Sequence, residues 1–149
     1  MKDRQDVPWL NDTEQQAWRN LLRGTALMLE RISADLETES QLQINEYDIL
    51  VNLSEAEDRK MRMSDLADAV VHSRSRLTHT VKRLEKEGLV ERCRCNEDRR
   101  GIICCLTDAG FARLVAAAPG HVISVREHLF ARLQPQEVLE LGRLAEKLI

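Results

Sequence analysis

From Leu10-Asn11-Asp12-Thr13-Glu14 onward the chain has an apolar residue, a capping side chain and a glutamate three positions on, after which Trp18, Leu22, Thr25, Leu29, Ile32 and Leu36 recur at alternating steps of four and three. That spacing predicts a long helix over 11–40 with a narrow apolar stripe, widened by Leu21 and Met28, of the kind that meets another helix. So long a stripe at the edge of a small domain stays wet in one chain, which predicts a second subunit. Ile44-Asn45-Glu46 repeats the apolar-then-cap signal, and Tyr47, Leu50 and Leu53 carry a second helix to about Ala56, with polar Glu55 to Lys60 as its exit loop. Met63-Ser64 opens a third helix with Leu66, Ala67 and Val70 inward. After a turn at Val71-His72, Ser73 caps a fourth, anchored by Leu77, Val81 and Leu84. Gly88 stops that helix. Leu89 to Cys95 and Ile102 to Leu106 then read as two strands around the polar tip Asn96 to Gly101. Thr107 caps another long helix, with Phe111, Leu114, Val115, Ala118, Val122, Val125 and Leu129 in one apolar phase that continues through Pro119-Gly120, so a kinked helix is expected there. Pro135 begins a last helix with Val138, Leu141, Leu144 and Leu148 inward.

These elements predict a mainly α fold with a small β-hairpin wing. In a single domain of residues 1–149, a winged helix-turn-helix lobe over 44–106 lies between long N- and C-terminal dimerisation helices at 11–40 and 107–149. A hydrophobic content of 43% suffices for a core, and aromatics at 3% leave no stacking platform for single-stranded nucleic acid, which favours a duplex partner. No apolar run approaches the length of a membrane span, and Met1-Lys2-Asp3-Arg4-Gln5-Asp6 is not the start of a signal peptide, so a cytoplasmic protein is expected.

The net charge of −3 is unevenly spread. Residues 73–100 carry nine basic and five acidic side chains, a balance of +4 that leaves −7 for the rest, so one basic edge would orient an acidic body on phosphate. With Leu77, Val81 and Leu84 buried, helical geometry turns Arg74, Ser75, Thr78, His79, Lys82 and Arg83 outward, with Arg76 on one flank and Ser73 at the cap. Arginine can pair with guanine, Ser and Thr with phosphate or base edges, and Lys and Arg with backbone. At the wing tip Asp98, beside Arg99, stands two before Arg100 and can hold its guanidinium extended toward a narrow minor groove.

Four cysteines have three readings. Should Cys95 oppose Ile102, Cys93 would face Cys104 and a thiol switch becomes conceivable; Cys93, Cys95, Cys104 and Cys105 are the redox candidates. Packing of small side chains is favoured over that switch, and zinc is the weakest reading because Cys-x-Cys with Cys-Cys is poor ligand spacing. His121 and His128, seven apart, could share a helix face but have no acidic partner at matching spacing, so no metal site is assigned. With no phosphate loop and no HExxH, neither an enzyme nor a cofactor is expected.

Leu77-Thr78, the run Arg83-Leu84-Glu85-Lys86-Glu87-Gly88-Leu89-Val90-Glu91-Arg92, Asp98-Arg99-Arg100-Gly101 and Leu106-Thr107-Asp108-Ala109-Gly110 resemble the signature of MarR-family transcription regulators. The resemblance extends in helix order and spacing from Asp12 to Ile149. It implies a homodimer that binds a pseudo-palindromic operator and usually represses, with Thr78 as a DNA-contacting helix residue, Asp98 and Arg100 as the wing pair and Arg100 in the minor groove. It also implies release by a small aromatic effector, for which Trp18 and Arg19 are the candidate pocket, although Trp18 is read first as core. Oxidant-sensing members commonly carry a cysteine near the start, where this chain has none. The competing reading is a winged-helix dimer that binds protein without specific DNA binding.

Overall fold

The computed structural model describes residues 7–70, 73–94 and 101–149. Its longest element, α1 (Asp12–Ser40), starts as the sequence predicts: Asn11 Oδ1 accepts from the Glu14 N–H at 2.9 Å, and Glu14 Oε2 accepts from the Asn11 N–H at 2.8 Å. Within one chain only Ile32 and Leu36 of its stripe are buried. Trp18 is 52% exposed and Leu22 and Leu29 are also exposed, so the core placement expected for Trp18 does not hold in a single chain. The reason is length: α1 outruns the lobe that could cover it.

Helix α2 (Ile44–Glu55) runs through the centre, burying Tyr47, Ile49, Leu50 and Leu53. Its cap is Gln43, two residues before the expected Asn45, because a start there puts Glu46 where its carboxylate reaches back to the Gln43 N–H at 2.9 Å. The expected exit loop is more ordered than its polarity suggests. Glu57–Arg59 forms a 3-10 turn, and Lys60–Arg62 forms a strand, β1. Arg59 lies 3.7 Å over the Phe111 ring, which pins this turn to the start of α5 (Asp108–His128).

Helices α3 (Met63–Ala69) and α4 (Arg74–Lys86) meet through Leu66, Ala67 and Val70 on one side and Leu77, Val81 and Leu84 on the other, all buried. The turn expected at Val71-His72 lies outside the described residues. Strands β2 (Val90–Arg94) and β3 (Ile102–Leu106) form the expected antiparallel hairpin, and β1 pairs with the other side of β3. Register corrects the cysteine expectation. Arg92 stands opposite Cys104 and Cys93 opposite Ile103, one step from the pairing that would set the two cysteines face to face.

The Leu106-Thr107-Asp108-Ala109-Gly110 motif is a clamp. Thr107 Oγ1 donates to the Gly88 carbonyl at 2.7 Å and accepts from the Gly110 N–H at 3.0 Å, while the Thr107 N–H bonds the Leu89 carbonyl. Gly88, at φ +72°, makes the turn that brings β2 back against this cap. From there α5 continues unbroken through Pro119. It packs along α1, where Ser124 Oγ donates to Asp35 Oδ2 at 2.6 Å and His128 Nε2 lies 2.8 Å from the same oxygen. The Ser124 hydroxyl, then His128, hold the Asp35 carboxyl below its ordinary pKa.

Helix α6 (Pro135–Glu146) begins with proline in its first turn, as predicted, but buries none of its residues. Leu141, Leu144 and Leu148, expected inward, are exposed, as are Leu139, Val122 and Ile123. The outer arms made by α1, the second half of α5 and α6 therefore show an apolar face that this chain alone does not cover.

Candidate nucleic-acid interface

Ser73 caps α4, its hydroxyl accepting from the Arg76 N–H at 3.4 Å, and thereby sets the phase of everything after it. With Leu77, Val81 and Leu84 fixed in the core, Arg74, Ser75, Arg76, Thr78, His79 and Lys82 all stand on the exposed side. Thr78 Oγ1 donates to the Arg74 carbonyl at 2.8 Å, and the Ser73 and Ser75 hydroxyls are 3.3 Å apart. Both bonds hold short polar side chains close to the helix, leaving the arginines to extend. Arg74, Leu77 and Thr78 also border a cleft of about 260 Å³ with Arg62, Met63, Ser64, Gly101 and Ile102. Arg62 and Ser64 were not singled out from sequence, because nothing local links the end of β1 to α4.

Among the described residues, two of the basic side chains of this segment, Arg92 and Arg83, have structural partners. Arg92 makes a two-pronged bond to Glu85 Oε2, from Nε at 3.0 Å and Nη2 at 2.8 Å, which lowers the Glu85 pKa and raises that of Arg92. Arg83 is exposed, as is Lys82, but it also donates from Nε to Glu46 Oε1, and this bond raises its pKa. It remains 45% exposed while Glu46 is 1% exposed. Periodicity alone could not show this tie, because Glu46 lies 37 residues earlier.

The wing residues Asp98, Arg99 and Arg100, together with Cys95 and the Cys93 side chain, lie outside the described residues. Cys104 is fully buried among Val90, Leu106 and the α2 core, and Cys105 is partly exposed. Trp18 and Arg19 sit on exposed α1, Arg19 bonding Gln15 at 3.2 Å, and border none of the clefts described here. His121 and His128 do not converge: His121 packs on Tyr47 at 4.3 Å between ring centroids, and burial lowers its pKa, whereas His128 meets Asp35. Sequence reading found no acidic partner for His128 because Asp35 comes from another helix.

A lobe of three helices closed by a three-stranded antiparallel sheet, with a polar helix exposed beside a hairpin, defines the winged helix-turn-helix class. Comparison with known proteins makes the class specific. The sequence profile of the MarR family matches residues 40–101. Sco3205 from Streptomyces coelicolor, a MarR family transcriptional regulator solved in complex with DNA, superposes with a TM-score of 0.91 at 37% identity, covering 95% of this chain and 89% of that one. AbsC, a MarR family transcriptional regulator from the same organism, superposes with a TM-score of 0.87 at 44% identity, covering 95% and 98%. The HTH-type transcriptional regulator PecS of Dickeya dadantii is 30% identical over 129 residues, 76% of this chain and 78% of its own length. The chain belongs to the MarR family of transcriptional regulators, not to a family of enzymes.

Proposed function

We propose that the chain is a sequence-specific, duplex-DNA-binding repressor that acts as a homodimer on a pseudo-palindromic operator. The observation that carries this is α4, a core-anchored helix whose exposed side gathers Arg74, Ser75, Arg76, Thr78, His79 and Lys82 in three turns. A helix of this size fits the major groove, where arginine reads guanine and lysine meets phosphate. Asp98, Arg99 and Arg100 are assigned to the wing, with Arg100 in the minor groove. A second copy is the natural cover for the apolar arms, since patches of that extent seldom stay in water. Repression follows from occupancy, because a dimer across a promoter excludes polymerase.

Control is assigned to a small aromatic anion. Between α5 and α6, Val122, Val125, Phe130 and Val138 with Arg126 and His121 border a cleft of about 590 Å³, within the size of small-molecule sites. Thiol control is less favoured, because Cys104 is buried and Cys93 does not oppose it.

The test is a salt titration of binding to duplex from upstream of the chain's own gene. Affinity should exceed that for scrambled duplex by about a thousandfold or more and fall steeply with salt. Equal, weak binding to both would favour a protein-binding winged helix instead.

A further inference from the structure

Among the described residues of the lobe, Glu46 is the one acidic side chain that is fully buried, at 1% exposure, and its two oxygens serve two different elements. Oε2 accepts from the Gln43 N–H at 2.9 Å and so caps α2, while Oε1 accepts from Arg83 Nε in the last turns of α4. A buried carboxylate needs both partners, since either one lost leaves charge in a low dielectric without compensation. Guanidinium has five N–H donors, and Glu46 takes the one on Nε. The four on the η nitrogens remain for another acceptor, and the Arg83 side chain as a whole is 45% exposed. Arg83 shares a shallow cleft of about 220 Å³ with Gln43, His79 and Thr80, one turn beyond His79 on the helix assigned to DNA.

We propose that Glu46 is a positioning residue for DNA binding: it holds the Arg83 side chain so that the remaining N–H donors meet a backbone phosphate at the C-terminal end of α4. The assignment rests on the reading of α4 as the DNA-facing helix. An arginine free to rotate loses side-chain entropy each time it binds, whereas one already tied at Nε arrives ordered. The same bond joins the recognition helix to the point where α1 hands over to α2, so the outer arm and the reading surface are mechanically linked.

The experiment measures binding of E46Q, R83K, R83Q and the E46Q/R83Q double variant to specific and scrambled duplex across salt, with thermal midpoints recorded to confirm that each is folded. R83Q should weaken both duplexes about equally, by roughly tenfold, and reduce the salt slope by about 0.9 per chain, the mark of one lost phosphate contact. E46Q keeps the α2 cap and the Arg83 charge but weakens the tie, and should lose about threefold or more in affinity. In the double variant the E46Q loss should vanish, because there is no longer an arginine to position. R83K keeps the charge that Glu46 requires, so the test does not depend on R83Q folding; it should retain the salt slope yet bind about fivefold more weakly, because an ammonium cannot serve both acceptors in a fixed fork. A wild-type salt slope in R83Q, wild-type affinity in R83K or E46Q, or additive losses in the double variant overturns the positioning role while leaving the DNA-binding reading intact. A wild-type chain that ignores duplex DNA overturns both.

Discussion

A Cβ added at Gly110 would stand 2.0 Å from the Leu89 carbonyl oxygen, so the first turn of α5 can lie against the start of β2 only because that position has no side chain. Gly110→Ala should therefore destabilise the fold by about 1–3 kcal/mol, read by urea denaturation, and should loosen the clamp centred on Thr107. His121 should contribute a pH dependence of stability. Burial against Tyr47 lowers its pKa below the ordinary 6.5, so as pH falls through that value the unfolded chain takes up the proton first and stability declines. The wild-type melting temperature should drop more than that of His121→Gln between about pH 7.5 and about pH 5, and equal drops would contradict the assignment. Such residue-scale facts were only half legible. The Asn11 cap, the Ser73 cap and the Thr107 cap are local and could be read directly, whereas Glu46 with Arg83 and Asp35 with His128 join residues far apart in the chain.

At the scale of elements, α4 has a buried side that serves stability and an exposed side to which the proposal gives DNA reading. Leu77→Ala removes a buried side chain and should cost about 2–5 kcal/mol of folding free energy. Arg76→Ala leaves folding almost unchanged and should cost about 1–3 kcal/mol in specific binding, measured by titration with operator duplex. Helices announced themselves through long periodic runs with caps, so α1, α4, α5 and α6 were legible. β1 was not, because three residues with one apolar position form no pattern, and their pairing with β3 is decided only in three dimensions. The hairpin was legible as two apolar runs, but not its register, since a polar tip of six residues does not say which residue turns the corner and one step exchanges the two faces.

For the whole molecule, the unanswered apolar surface on α1, α5 and α6 carries the greatest consequence. Periodicity marked those helices correctly but could not say whether a stripe is covered by its own chain or by another, which is why Trp18, Leu141 and Leu144 read as inward and stand exposed here. Leu144→Glu should shift sedimentation from two chains toward one and abolish tight operator binding together, because a lone lobe gains only half the contacts. The central claim is that two copies present their α4 helices to successive major grooves of one duplex. A hydroxyl-radical footprint over the region upstream of the gene tests it most directly. Two protected half-sites related by a dyad, with centres about 10 base pairs apart, are predicted; a uniform cleavage pattern, or protection of a single half-site at saturation, would contradict it.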